Sequence, residues 1–267
     1  MDSYRARHPG CPIWRIVFFD VGRLMTAIYV RVFHGYRRFH RDRVPKRGPY
    51  IVAANHQSYL DPILVGVAIA PGQFTPLARS SLFEHWLFGP IIANLHSLPV
   101  RQGEGDTRAM KAMIAEVKAG RSILVYPEGS RTFDGALQPF QRGVSLILRR
   151  APAPVLPVAM EGAYDAWPRS SKRPRFGRRT WAAVGHPIPH EELMANGPDE
   201  ALRRLEREIE QLRLELRERL RKKTKGRYPA KGPGDRPFQH AEADVEANPQ
   251  AEVEPTPRAA SNTNSEA

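Results

Sequence analysis

Between residues 50 and 185 the chain repeats one pattern: a short, unbroken apolar run, then a longer stretch with helical spacing. The runs are YIVAA, SLPV, SILVY, PVLPVAM and WAAVG. None alternates polar with apolar residues, which is how a strand covered on both faces reads. Between them lie DPILVGVAIA, SLFEHWLFGPIIANL, DTRAMKAMIAEVKAG and FQRGVSLILRR, each with helical periodicity. Strand alternating with helix predicts an α/β fold, with a mostly parallel central sheet flanked by helices. Ligand sites in such sheets lie beyond the C-terminal ends of the strands. The residues that follow each run are therefore the ones to read for chemistry.

Both flanks differ from this middle part. The sequence predicts an N-terminal membrane-interface segment over 1–48, an α/β domain over 49–225 and a disordered tail over 226–267. In WRIVFFDVGRLMTAIYVRVFHGYRRF, residues 14–39, Asp20, Arg23 and Arg31 interrupt the apolar sequence, and charges near its centre make a bilayer crossing costly. Ile16, Phe19, Leu24, Ile28 and Phe33 can share a broad helical face, and Trp14, Tyr29 and Tyr36 are types enriched at membrane interfaces. The basic run RRFHRDRVPKR follows, so the segment reads as an amphipathic helix lying among the headgroups of an anionic leaflet. A helix packed on the protein's own core is the plainer alternative. From Asp199 to Lys225 a charged helix carries Leu202, Leu205, Ile209, Leu212, Leu216 and Leu220 as one stripe, for packing on the domain or pairing with another helix. After Gly226 bulky apolar residues almost vanish. That tail is net acidic, so residues 1–225 hold more than the whole chain's +13. An anionic partner is implied: a membrane surface, a phosphorylated substrate or nucleic acid. One cysteine, Cys11, excludes an internal disulfide and a cysteine metal cluster. No cleavable leader is evident at the start of the chain, which favours a protein facing the cytoplasm.

Two strand ends carry reactive residue types. In IVAANHQSYLDP an apolar run ends at Asn55 and His56, and Asp61-Pro62 reads as a cap followed by proline at the first helical position. Five residues along an ideal helix would leave His56 and Asp61 about 140° apart. A direct contact therefore needs the loop to fold back, and spacing alone leaves open a turn histidine beside a capping aspartate. In SILVYPEGSRTFDG, Glu128, Gly129, Ser130 and Arg131 follow a strand end. Glycine admits close approach of the backbone, and arginine can grip a phosphate through two parallel hydrogen bonds. Otherwise this is an ordinary loop with a surface Glu–Arg pair. Arg101 stands past the SLPV run in the same way.

The ordered set of motifs resembles the glycerolipid acyltransferases, closest to the bacterial 1-acyl-glycerol-3-phosphate acyltransferases. NHQSYLD is similar to their N-H-x4-D block and YPEGSRT to F-P-E-G-T-R-S. SLPVR ends on the block arginine, Arg101, and PVLPVAMEG resembles the fourth, proline-containing block. The likeness covers roughly residues 40–190. It departs at Tyr126, where phenylalanine is usual, and at Ser130 and Thr132, whose hydroxyl residues are exchanged. His96 and Ser97 stand where glycine is common, and Arg79 where lysine is frequent.

The resemblance implies transfer of a fatty acyl group from acyl-CoA or acyl carrier protein to the free hydroxyl of lysophosphatidate or another lysolipid, such as a lyso-ornithine lipid. It implies His56 as general base and Asp61 as its partner. Arg101, Glu128, Gly129, Ser130 and Arg131 would bind substrate, with amides near Gly129 as oxyanion donors. No cofactor and no metal are implied. The membrane lipids and the acyl donor are the expected partners, and the cytoplasmic face of the inner membrane is the expected place, peripheral or monotopic. Two other classes fit less well. A hydrolase would need a serine elbow, and no G-x-S-x-G occurs in the chain. A nucleic-acid module rests on charge alone, with no zinc knuckle or RNA-binding sheet signature, so no nucleic-acid partner is expected.

Overall fold

The structure is a computed structural model of the chain and describes residues 9–86, 88–95, 97–100 and 107–237. Seven strands occur among these residues: β1 Arg37–Phe39, β2 Ile51–Ala54, β3 Leu77–Arg79, β4 Leu98–Val100, β5 Ile123–Val125, β6 Val155–Glu161 and β7 Trp181–Val184. The helices are α1 Ile13–His34, α2 Asp61–Ala68, α3 Ser80–Phe83, α4 Phe88–Asn94, α5 Thr107–Lys118, α6 Gly143–Arg150, α7 Ala163–Ala166, α8 His190–Met194 and α9 Gly197–Lys223. All five apolar runs form strands. Four enter one sheet of order β1-β7-β6-β2-β5, in which only the β6–β7 pair is antiparallel. The fifth run, at β4, pairs instead with β3 in a separate two-stranded ribbon. A bridge from Thr75 to Ile123 ties the approach to that ribbon to the edge of the main sheet.

The unbroken apolar runs are explained by burial on both faces. Ile51, Ala53, Ile123, Val125, Val155, Ala159, Trp181 and Ala183 face one core, which α5, α6, α8 and α9 complete. Val52, Ala54, Leu124, Leu156, Val158, Met160, Ala182 and Val184 face the other, closed by α2 and the inner side of α1. Successive residues of each strand alternate between the two cores, as the pleat dictates. The leucine stripe of α9 packs on the sheet, with Leu205, Ile209 and Leu220 fully buried.

Two expected boundaries move. Residues 1–48 are not a separate segment, because β1 forms a parallel edge of the main sheet beside β7. The mixed sequence RRF gave no strand signal, since an edge strand needs no continuous apolar run. Part of the basic run is also turned inward: Arg38 donates to Val67 O at 2.8 Å and Arg43 to Val184 O at 3.2 Å. The second change concerns the tail. Residues 226–237, expected to be disordered, lie against α9 with a 3-10 turn at Pro233–Asp235. Charge rather than apolar area holds them. Asp235 pairs with Arg217 at 2.8 Å and Arg221 at 2.6 Å, and Gly234 O accepts from Arg213 at 2.9 Å. The rest of the expected tail, 238–267, lies outside the described residues.

Helix α1 has two unlike sides. Ile16 and Val30 are buried, and Phe19 packs edge-on against Phe74 with ring centroids 6.1 Å apart. Trp14, Val17, Phe18, Val21, Leu24, Met25, Ile28, Val32 and Phe33 are exposed. At 100° per residue all but Phe33 fall within an arc of about 120°, and Phe33 widens it to about 180°. The broad face expected from Ile16, Phe19, Leu24, Ile28 and Phe33 is thus split between an inner and an outer side. Among the described residues no helix is long and apolar enough to cross a membrane.

Arg213, wholly buried in α9, bonds Glu210 at 2.6 Å and Glu161, at the end of β6, at 3.0 Å. Arg213→Ala takes a buried cation away from both carboxylates and leaves Glu161 with Arg217 as its one remaining arginine partner among the described residues. It should cost about 3–5 kcal/mol of stability, read as a fall in the denaturant midpoint. An unchanged midpoint would show that the pair contributes nothing.

Candidate active site

The register of the sheet sets the site. Ala53 of β2 lies opposite Val125 of β5. Counting on three residues along each brings His56 level with Glu128. The side chain of Asn55 fixes the end of β2 by bonding both backbone groups of Met160 on β6, at 2.7 and 3.0 Å. Beyond Asn55 the loop turns back on itself. Asp61 Oδ2 receives hydrogen bonds from the amides of Gln57 at 2.6 Å and Ser58 at 2.7 Å, and lies 2.7 Å from His56 Nδ1. The fold-back that the spacing required is therefore present. Asp61 is not the helix cap: Leu60 occupies that position, and Asp61 is the first residue of α2, followed by Pro62. Its buried carboxylate points away from the helix axis to the preceding loop.

The imidazole of His56 is held on one face and at Nδ1, and its backbone is held as well. Tyr126 stacks on it, with centroids 3.9 Å apart and planes 11° from parallel. The amide of His56 donates to Glu128 Oε1 at 2.5 Å, and its carbonyl accepts from Thr132 N at 2.8 Å. Nδ1 faces Asp61, and a neutral imidazole bonded in this way carries its proton on Nδ1 and a lone pair on Nε2. Nε2 has no protein partner among the described residues, and the side chain is 18% exposed.

The loop after β5 brings several expected residues to the same place. Gly129 has φ +73°, a left-handed conformation that favours glycine, and a Cβ there would lie 3.0 Å from Gln141 Cγ. Its amide is already engaged with Tyr126 O at 2.9 Å, so that amide is not free to serve as an oxyanion donor. Ser130 is exposed on the loop. The Arg131 guanidinium lies 3.5 Å from the ring centroid of Tyr59, and its Nη1 is buried without a hydrogen-bond partner. Glu128 is a correction. Expected to touch substrate, it is buried, and its two oxygens accept from His56 N and from Gln138 N at 2.9 Å. It is an internal strut between the two loops. Arg101 and His96 lie outside the described residues.

Some members of the site gave no sequence signal. Gln57 is buried and spans Gly135 O at 3.0 Å, Glu161 at 3.5 Å and the amide of Tyr164 at 3.4 Å. Trp167 lies 5.1 Å from Tyr59, ring to ring, and its carbonyl accepts from Ser58 Oγ at 2.7 Å. The aromatic at Tyr59, within the quoted motif, was the one visible clue. Among the described residues no three His, Cys, Asp or Glu side chains are grouped to hold a metal ion.

Comparison with known proteins accords with this geometry. The acyltransferase family matches residues 37–161, the stretch that carries β1, both site loops and β6. The chain carries an acyltransferase domain. It is 26% identical over 189 residues to the 1-acyl-sn-glycerol-3-phosphate acyltransferase of Bacillus subtilis, covering 67% of this chain and 92% of that one. It is 29% identical over 182 residues to the alpha form of the same enzyme from Bos taurus, covering 64% of this chain and 60% of that protein. The crystal structure of the 1-acyl-sn-glycerophosphate acyltransferase of Thermotoga maritima has a similar fold. It aligns with a TM-score of 0.59 at 21% identity, over 81% of this acyltransferase and 80% of that chain.

Burial pushes the Glu128 carboxyl up from 4.5 to about 8, against the pull of its two amide donors. Between those values the folded protein keeps a proton that the unfolded chain has released. The contribution of Glu128 to stability therefore falls as pH rises from about 5 to about 8. Glu128→Gln should remove that slope, so its melting temperature gains on the native protein's as the pH is raised. Parallel curves would contradict the assignment. Glu128→Ala leaves two amides without acceptors and should cost about 1–3 kcal/mol for each.

Proposed function

We propose that the enzyme transfers a fatty acyl group from acyl-CoA or acyl carrier protein to the free sn-2 hydroxyl of 1-acyl-glycerol-3-phosphate, giving phosphatidate. The observation that carries the reading is the His56–Asp61 contact, with Asp61 buried and Nε2 open. An alcohol is a weak nucleophile until a base takes its proton as the new bond forms. Here Nε2 accepts the hydroxyl proton while the alcohol oxygen attacks the thioester carbonyl. Asp61 holds the Nδ1 proton and stabilises the imidazolium that forms, and the stacked Tyr126 keeps the ring in plane. The tetrahedral intermediate collapses by breaking its carbon–sulfur bond, and the imidazolium returns the proton to the thiolate. No acyl-enzyme is required. Cys11 lies among Arg15, Arg121 and Glu116, and Arg121 precedes β5, at the end of the strand opposite to His56.

Arg131 binds the acceptor phosphate. Its buried, unpartnered Nη1 and its seat on Tyr59 support that role, because an anion would satisfy the nitrogen. Arg101 joins it through the match of SLPVR to the family pattern. The relatives named above carry this activity in their names, which favours lysophosphatidate over other lysolipids as acceptor. No cofactor or metal enters the chemistry. The outer stripe of α1 lies on the cytoplasmic leaflet of the inner membrane as a peripheral contact and brings the cleft to the depth of the headgroups.

His56→Ala should lower thioester-dependent CoA release with lysophosphatidate by about 10²–10⁴ while the protein stays folded. Turnover near that of the native enzyme would defeat the mechanism. Arg131→Ala should raise KM for lysophosphatidate by roughly tenfold or more, since a hydrogen bond to a charged group contributes about 1.5–3 kcal/mol. Its effect on an uncharged monoacylglycerol should be small. Equal losses on the two acceptors would count against phosphate binding.

A further inference from the structure

We infer that the loop of residues 168–179 is a second lipid-contact element, docking on the surface of an anionic bilayer beside the active-site mouth. The inference rests on the reading that the outer face of α1 lies on a membrane, and it extends that contact to a part of the chain distant in sequence. Within PRSSKRPRFGRR the loop carries six cations and no acid. Arg169, Lys172, Arg173 and Arg175 are exposed, and none of the four makes an ion pair among the described residues. An apolar residue sits in their midst: Phe176 is 60% exposed.

The loop is built into the fold at three points. At one end it meets α1: Phe176 packs against Phe33 of the last turn, with centroids 5.2 Å apart and planes tilted by 49°, and Gly177 N donates to Phe33 O at 2.9 Å. In the middle, Arg175 N donates to Ala166 O at 2.7 Å and Trp167 Nε1 to Ser171 O at 3.1 Å. At the other end Arg169 donates to Arg131 O at 3.1 Å, and its guanidinium lies 3.9 Å from the ring centroid of Phe133, itself 69% exposed. The apolar stripe of α1, the aromatic tip at Phe176 and the exposed cations thus form one continuous strip. It runs from the N-terminal helix to the arginine assigned to the acceptor phosphate.

That combination selects the occupant. Anionic headgroups attract exposed lysine and arginine, while an exposed aromatic enters the boundary beneath them. An acidic carrier protein would answer the cations but would leave the adjoining stripe, about 33 Å long for the 22 residues of α1, without a partner. Contact at the loop would also fix the rotation of the domain about α1. The mouth between Arg131 and His56 would then face the leaflet that holds the acceptor.

The test is flotation of the full chain, without substrate, on phosphatidylcholine vesicles with and without phosphatidylglycerol. A triple variant, Lys172→Gln with Arg173→Gln and Arg175→Gln, should partition onto phosphatidylglycerol-containing vesicles roughly 100-fold more weakly than the native protein, at about a fivefold effect per cation. On pure phosphatidylcholine the two should be equal, and added salt should weaken the native protein more than the variant. Native-like partitioning of the variant onto the anionic vesicles would overturn the proposal. So would native-like partitioning joined to a selective loss of turnover with acyl carrier protein, which would make the loop a donor-docking surface. A second variant, Val21→Asp with Met25→Asp, tests α1 by itself. If it binds like the native protein, the α1 reading fails, while the loop is still judged by the triple variant.

Discussion

One buried carboxylate organises the site. Asp61 Oδ2 accepts from two consecutive backbone amides and meets the imidazole of His56, all within 2.7 Å. An aspartate without solvent contact would be costly to bury alone, and charge-assisted hydrogen bonds offset that cost. The same bonds close the loop into one conformation and choose the tautomer of the histidine. Structure and chemistry are therefore not separable here. Whatever folds the loop also sets where the imidazole lone pair points.

The scaffold around that loop removes its remaining freedom. Asn55 ties the start of the loop to β6, and Glu128 and Thr132 hold the backbone of His56 from the neighbouring loop. Gln57 reaches Glu161, which two buried arginines of α9 pair from the far side. Those arginines are in turn bonded by the segment 230–235. A chain of hydrogen bonds thus connects the C-terminal segment to the residue beside His56. Buried ion pairs are a weak source of stability but a strong source of definite geometry once every member is satisfied.

The α/β fold was legible because strands buried on both faces must be apolar throughout, and all five such runs became strands. Strands without that requirement were hidden: β1 at the sheet edge reads RRF, and β3 reads LAR. The meeting of His56 with Asp61 came from the motif match, because helix geometry by itself argued against it. What sequence could not give was direction. Glu128 stood in a substrate motif yet turned inward, since register put it level with the His56 amide. The composition of residues 226–237 pointed to disorder, because arginines up to 21 residues away in the chain do not appear in a local count. Sequence showed α1 to be amphipathic but left open which side the domain would claim.

The most direct measurement of the central claim is nitrogen NMR of histidine-labelled enzyme, with the His56 signals assigned by their loss in His56→Gln. The account predicts that, in its neutral form, His56 carries its proton on Nδ1 and an unprotonated Nε2, and that Asp61→Asn disturbs this preference. A neutral His56 with its proton on Nε2, facing the substrate, would contradict a general base at this position.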